Sequence, residues 1–383
     1  MEKIINKQKQ VGPLRVLTSQ QHTCIQAGMD LYQNNEQALL DDIYQLYSNK
    51  SVDASVQHLT FDNDVQVFDM NKIQQRYKNA SQSEKGIKAI MRKFDLDDDL
   101  GYRKLMPVTQ SFIEGLRDLK KKYPNCSEFL NYVSQFGALS LCRADTMKMY
   151  FPPVLLAGPP GVGKTAIVRE VTKLLDVSYK QLDMATITSS FVISGASSVW
   201  SDAKTGCIVD LLRDGHAANP MVILDELDKV STNQKHDPLG GLYTLLEREA
   251  ARDFTDEALD IPIDASHVLY VATANELTLI PEPLLSRFLV IHIDDVKGQH
   301  HQTVTQSIYQ SIIDEEKVGK AFKKKLSKDI FDLVEPFSPR EVKRILMRAM
   351  AKSACRMRNN SNLEINESDL TLPNTGEVKM GFM

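Results

Sequence analysis

Residues 154–165 read VLLAGPPGVGKT. Gly158, Gly163, Lys164 and Thr165 satisfy G-x-x-x-x-G-K-[S/T], and the flanking residues agree with that motif. The run 154–157 predicts a buried parallel strand, and 166–176 predicts an amphipathic helix. Glycines let the backbone curl so that its N–H groups face an anion, and the positive end of the new helix points the same way. Gly158, Pro159, Pro160, Gly161, Val162, Gly163, Lys164 and Thr165 are therefore expected to hold nucleotide phosphates. Lys164 supplies a point charge and the Thr165 hydroxyl a Mg²⁺ ligand. The competing reading is a chance glycine-rich turn; it leaves the strand and helix flanks unexplained.

Working outward, the next signal is Met221-Val222-Ile223-Leu224, which ends in Asp225-Glu226. A strand buried on both faces delivers two carboxylates at its carboxyl end, where doubly wound α/β sheets bind their ligands. Asp225 is expected to hold Mg²⁺ and Glu226 to polarise the attacking water. A third apolar run, 268–274, ends in Asn275, whose amide suits a γ-phosphate and a lytic water. The expected fold is α/β: a parallel sheet flanked by helices, with a mainly helical N-terminal part and a C-terminal part whose character as a helical lid is what the family resemblance given below implies. The expected division is 1–122 accessory, 123–297 nucleotide-binding and 298–383 for the lid of that resemblance.

Composition sets the outer bounds. The chain has 383 residues, 42% of them hydrophobic and 25% charged, with a net charge of −4. Those values suit a globular protein and give no global basic field for nucleic acid. Five cysteines without a C-x-x-C pair read as reduced thiols, not as a disulfide framework or a zinc site. The first ten residues, MEKIINKQKQ, lack an apolar leader, and no unbroken apolar run is long enough to span a bilayer. A cytoplasmic protein without a membrane partner is the expectation.

In the N-terminal third, helical periodicity covers 19–48, 73–92 and 109–122, with little strand pattern. The acidic stretch 95–99 resembles a calcium loop but fails it: Leu100 stands where glycine is needed and Met106 where glutamate is needed. Tyr102-Arg103-Lys104 and Lys120-Lys121-Lys122 read as solvated helix faces. His300-His301 reads as a solvated helix start.

Asn275 and the segment IPEPLLSRF (280–288) make the arrangement resemble the AAA+ ATPases. By that resemblance Asn275 is the sensor-1 residue, and Arg287 is an arginine finger reaching the γ-phosphate of a neighbouring subunit. The likeness is greatest to the ATPase module of Lon proteases, over roughly 127–372. It is carried by GPPGVGKT (158–165), ANPMVILDELDKV (218–230), HDPLGGLYTLLE (236–247), VATAN (271–275) and IPEPLLSRF. The stretch 252–264 looks like the hairpin this branch inserts before the sensor-1 strand, and 363–370 like the end of its lid.

The resemblance places Val199-Trp200 at the substrate-gripping pore position, although Ser197-Ser198 replace basic residues there. Trp200 is the only tryptophan, and a core-packing role is the alternative. It places Arg340 at the lid's sensor-2 position, with Arg344 one helical turn on as the fallback. It also implies ATP and Mg²⁺ as cofactors and a homo-oligomeric ring, hexameric by family expectation. The expectation is a Lon-type motor without the Lon peptidase domain, with no other hydrolase constellation in its place. The leading expectation is a motor that unfolds or remodels protein clients, with a separate effector such as a protease as a possible partner. The alternative is an ATP-dependent DNA-associated switch or loader. A non-hydrolysing scaffold would need none of Glu226, Asn275, Arg287 or Arg340.

Overall fold

The computed structural model describes residues 64–80, 85–94, 101–142, 148–196, 203–230, 237–355 and 362–373. The expected helix at 19–48, the acidic stretch 95–99 and Val199-Trp200 lie outside them. The described residues form two compact units, each assembled from several stretches of chain. The first takes in the described residues up to Asp118, with those of Glu128–Ala157 and Val168–Ile291; the second takes in Leu119–Ser127, Gly158–Ile167 and the described residues from His292 onward.

The first unit is built on a five-stranded sheet: β3 (Val154–Ala157), β4 (Tyr179–Asp183), β5 (Met221–Asp225), β8 (Leu269–Ala274) and β9 (Leu289–His292), in the order β4-β5-β8-β3-β9. The pairs β4–β5, β5–β8 and β3–β8 are parallel. Sequence explains the order. Every residue of β3 and β8 is buried, and so are the first four of β5, as continuous apolar runs require when both faces are covered. The more polar β4 (YKQLD) takes one edge, and the partly exposed β9 takes the other although three of its four residues are apolar. Burying each Val or Leu of β3 contributes about 1.5–3 kcal/mol.

Two small antiparallel ribbons join this core. Strand β1 (Asp64–Gln66) pairs with β2 (Tyr102–Lys104), and β6 (Phe254–Thr255) pairs with β7 (Pro262–Ile263). Phe68 bridges to Ile263, and Asp264 N–H donates to Val67 O at 3.0 Å. Val67, Phe68, Met70 and Ile73 thus share one core with Leu155, Leu224 and Phe254.

The strand character of 64–66 and 102–104 was not expected, because three-residue strands carry no readable period. The single helix expected over 73–92 is two, α1 (Met70–Asn79) and α2 (Lys85–Met91). The expected helix at 109–122 is α3 (Gln110–Lys122), and α4 (Ser127–Cys142) follows it. Arg103 does not sit on a solvated helix face. It lies in β2, its Nε and Nη2 donate to Leu212 O and Arg213 O at 2.8 and 3.0 Å, and its guanidinium stands over the Phe68 ring. It therefore satisfies the carbonyl end of a helix spanning Cys207–Asp214.

The second unit packs three helices, Gly298–Glu315, Lys328–Val334 and Pro339–Cys355, around Tyr309, Ile312, Ile330 and Leu346. The phosphate-loop segment 158–167 belongs to this unit. Of the two adjacent histidines only His300 is exposed. His301 is buried, with Nε2 3.3 Å from Phe337 O and Nδ1 3.4 Å from Thr305 Oγ1. Only half of the expected solvated start is solvated, because one residue along a helix turns the side chain to a different face.

Candidate active site

The phosphate loop leaves β3 at Gly158, and the helix α5 (Lys164–Leu175) begins at the motif lysine. Two glycines are demanded by backbone geometry: Gly161 has φ +84° and Gly163 φ +101°. A Cβ on Gly163 would meet nothing within 4 Å, so the loop opens on that side as a cradle an anion can fill. A Cβ on Gly158 would stand 2.1 Å from Ile293 O, which explains the first glycine by close backbone approach. Lys164 is buried, and its Nζ donates to Gly158 O at 2.6 Å and Pro159 O at 2.8 Å. The ammonium is held inside the loop, so these residues fit a nucleotide's phosphates. Asn125 braces the loop from outside the motif, its Nδ2 donating to Val162 O at 3.1 Å.

Arg340 stands beside this loop. A Cβ on Gly161 would lie 3.2 Å from Ser338 Oγ and 3.3 Å from Arg340 Cβ. Ser338-Pro339-Arg340-Glu341 starts the helix Pro339–Cys355, with proline in the first turn. Ser338 N–H and Oγ both donate to Glu341 Oε2, at 3.0 and 2.8 Å, and these two bonds hold the Glu341 carboxyl below its usual range. Arg340 and Arg344 are both exposed, and the loop contact belongs to Arg340.

In the first unit, the carboxylates sit at the end of β5. Asp225 Oδ1 accepts from Thr273 Oγ1 at 2.6 Å, and its Oδ2 accepts from Gln181 Nε2 at 2.7 Å. Gln181 in turn accepts from Arg169 Nε at 2.9 Å. Glu226 has left-handed backbone, φ +56° and ψ +49°, and its N–H donates to Thr273 Oγ1 at 3.1 Å. That conformation costs a non-glycine residue on the order of 1–3 kcal/mol, and such strain gathers at functional positions. Its effect is to turn the chain out of the strand direction directly after Asp225. A single hydroxyl, Thr273, ties Asp225 and Glu226 together.

Strand β8 carries that threonine and ends at Ala274, paired with Ala157 of β3. Asn275 leaves the sheet one rung past this pair and is half-buried. Arg287 follows the helix Glu282–Leu285 and packs against Tyr243 and Glu247. The structure thus brings Gly158–Thr165 together with Arg340, and Asp225 with Glu226.

Gln181, Thr273 and Asn125 were missed from sequence. Thr273 had a signal: a lone hydroxyl in the middle of VATAN, inside an otherwise apolar buried strand. Gln181 and Asn125 had none, since their partners lie 44 and 37 residues away.

Between 189 and 206 the described residues include the short helix Phe191–Ser194, and Ala196 pairs with Lys204 across the segment that carries Val199-Trp200. Its base is fixed by Asp256, which accepts from Gly206 N at 2.7 Å, Ala258 N at 2.9 Å and Leu259 N at 3.0 Å. Burial raises this carboxyl to about 6 even against those three donors. Cys126, Cys142, Cys207 and Cys355 are free thiols, and burial pushes Cys126 and Cys207 up to about 12, so neither is a nucleophile. Among the described residues there is no metal-binding cluster of His, Cys, Asp and Glu, and no helix is long and apolar enough to cross a membrane.

Comparison with known proteins agrees with this geometry. Residues 154–294 match the model of the AAA family, ATPases associated with various cellular activities. The mitochondrial Lon protease homolog of Mus musculus is 31% identical over 210 residues, 55% of this chain and 21% of the relative. Lon protease of Lachnoclostridium phytofermentans is 33% identical over 195 residues, 51% of this chain and 22% of the relative. The mitochondrial Lon homolog of Zea mays is 39% identical over 140 residues, 37% of this chain and 14% of the relative. The chain spans about a fifth of the length of the first two relatives. The likeness therefore covers a nucleotide-binding module: residues 154–294 carry an AAA ATPase domain, consistent with a Lon-like AAA+ ATPase module.

Proposed function

We propose that this chain is a Mg-ATP-hydrolysing motor that assembles as a homo-oligomeric ring, a hexamer by family expectation, and unfolds or remodels protein clients. Gly158–Thr165 bind the phosphates, with Thr165 and Asp225 holding Mg²⁺. Glu226 takes the role of general base, Asn275 orients water and γ-phosphate, Arg340 senses the nucleotide in its own subunit, and Arg287 completes the neighbour's site. Val199-Trp200 grips the client. The linear division at 1–122, 123–297 and 298–383 and a cytoplasmic working place belong to the same proposal. Proteolysis, which the relatives' names state, is not assigned to these residues, and a separate effector such as a protease is an open partner.

The observation that supports this reading most is Glu226. Its backbone is held in a costly conformation, and the same threonine that anchors it also orients Asp225. A protein that only bound nucleotide would gain nothing from maintaining that strain. The test is subunit mixing. Glu226→Gln and Arg287→Ala should each abolish turnover, and co-assembled subunits should regain part of it, because some interfaces then pair an intact finger with an intact base. No recovery after confirmed mixing refutes action in trans.

One feature favours the DNA-associated alternative: Lys317, Lys320, Lys323, Lys324, Lys325 and Lys328 are all exposed within twelve residues that contain no acid. Duplex DNA binding that weakens steeply with salt would support that alternative over the client-pulling motor.

A further inference from the structure

Arg287 does not project freely into solvent. Its Nε donates to Tyr243 O at 3.3 Å, its Nη1 donates to the Pro283 carbonyl, and its Nη2 lies 2.5 Å from Glu247 Oε1. The guanidinium carbon also stands 5.3 Å from the centre of the Tyr243 ring. The arginine side chain is only 24% exposed, whereas that of Glu247 is 53% exposed.

A guanidinium offers five N–H donors in a rigid planar fork. Three are used here, one on each nitrogen. One N–H on each terminal nitrogen has no acceptor among the described residues. A contact that merely stowed the arginine would occupy the whole outer edge of the fork. This one fixes the plane and leaves a donor on both terminal nitrogens for an anion.

We propose that Glu247 is a positioning residue for Arg287, holding the guanidinium in its reactive orientation before a neighbouring nucleotide arrives. The proposal rests on the reading of Arg287 as a finger acting in trans. Its physical basis is preorganisation: donors fixed in advance need not reorient as charge develops on the transferred phosphoryl group. A tie to Glu247 also has a consequence within the subunit. Tyr243 and Glu247 lie on the segment that continues from Asp225-Glu226 through the short helical turn Leu227–Lys229. The chain that carries one subunit's carboxylates therefore also carries the socket of the arginine it presents to the next.

An ordinary exposed ion pair would make no such contribution to turnover, so substitution separates the two cases. With the full chain, steady-state ATPase and thermal melting are measured for Glu247→Ala, Glu247→Gln, Arg287→Ala and the double variant. Glu247→Ala should lower kcat by roughly 10- to 100-fold, the scale of a misplaced catalytic group. KM for ATP should stay within about twofold, and the melting temperature should hold, since the side chain is half exposed. Glu247→Gln keeps an acceptor oxygen and should lose less. In the double variant, turnover should be no lower than in Arg287→Ala alone, because removing the holder of an absent group changes nothing. Wild-type kcat in Glu247→Ala, with Arg287→Ala impaired, overturns the role of Glu247 and leaves the finger standing. Additive losses in the double variant do the same. Wild-type turnover in Arg287→Ala overturns both.

Discussion

Thr273→Val tests the hydroxyl on which the two carboxylates of the site depend. Thr273 is 2% exposed, so the variant is a buried exchange of a hydroxyl for a methyl of nearly the same shape. Two interactions disappear: the donation to Asp225 Oδ1 at 2.6 Å and the acceptance from Glu226 N at 3.1 Å. A hydrogen bond to a charged group contributes about 1.5–3 kcal/mol, and a buried N–H left without an acceptor costs about 1–3 kcal/mol. The variant no longer has to dehydrate a hydroxyl, which offsets about 1–2 kcal/mol. The net expectation is a loss of about 2–3 kcal/mol, or about 5–10 °C in melting temperature for a unit of this size. Turnover should fall further than folding does. Asp225 keeps its bond to Gln181 Nε2 at 2.7 Å and can pivot about it, while Glu226 loses the tether of its strained backbone. A displacement near 1 Å at a reacting group costs on the order of 10²-fold. The assays are a thermal melt and ATPase measured across a Mg²⁺ titration, with Thr273→Ser as the control that restores the hydroxyl. A Val variant with wild-type melting and wild-type turnover, or a Ser variant as damaged as Val, would refute the reasoning.

Glu226→Gln should retain Mg-ATP binding by equilibrium dialysis while losing about 10²–10⁴ in turnover, the usual contribution of a general base; weakened binding would point to a structural role instead. The Asp256 carboxyl, raised by burial from 3.8 to about 6, takes up a proton more readily when folded, so its contribution to stability is lost as pH rises through about 6. The folded state should therefore lose about 1 kcal/mol between pH 5 and pH 7.5 from this group, and Asp256→Asn should remove that component from paired melts at the two pH values. Trp200→Ala should leave melting and basal ATPase unchanged and abolish client-stimulated ATPase. A melting loss equivalent to about 3–5 kcal/mol would make Trp200 a core residue.

What could be read in advance was what the chain encodes within a short window. The run VLLAGPPGVGKT specifies a strand, a turn and a helix through neighbouring residues alone, and it folds as read. The same holds for Gln110–Lys122, expected as a helix over 109–122. Legibility ends where a residue's conformation is decided by a distant partner. Nothing local marks Glu226 as left-handed; β-strand propensity on one side and a helical turn on the other argue against it. Its conformation persists because Thr273, 47 residues later, supplies an acceptor to the Glu226 N–H. Arg103 shows the converse error. A short basic cluster reads as a solvated face, yet Arg103 donates from Nε and Nη2 to two carbonyls about 110 residues away.

These cases share a physical cause. Motif residues that touch a ligand must be close in sequence or supplied at strand ends, because the ligand is small and the sheet's carboxyl edge is one line. Their type is therefore fixed by chemistry and readable as pattern. Residues that orient them face no such restriction, and any element that reaches the right point with a donor or acceptor will do. Thr273 supports Asp225 from the adjacent strand on one side, Gln181 supports it from the strand on the other, and Glu247 pairs with Arg287 from the bend between the short helices Gly240–Leu245 and Arg248–Ala251. The groups proposed to carry the chemistry are legible for this reason, and the groups that orient them became visible only in the fold. The same logic makes the aiming residues the sharper experimental targets. Removing Glu226 would abolish hydrolysis under almost any arrangement of the site, whereas a loss of turnover on removing Glu247 or the Thr273 hydroxyl, with nucleotide binding intact, would depend on the arrangement being the one described.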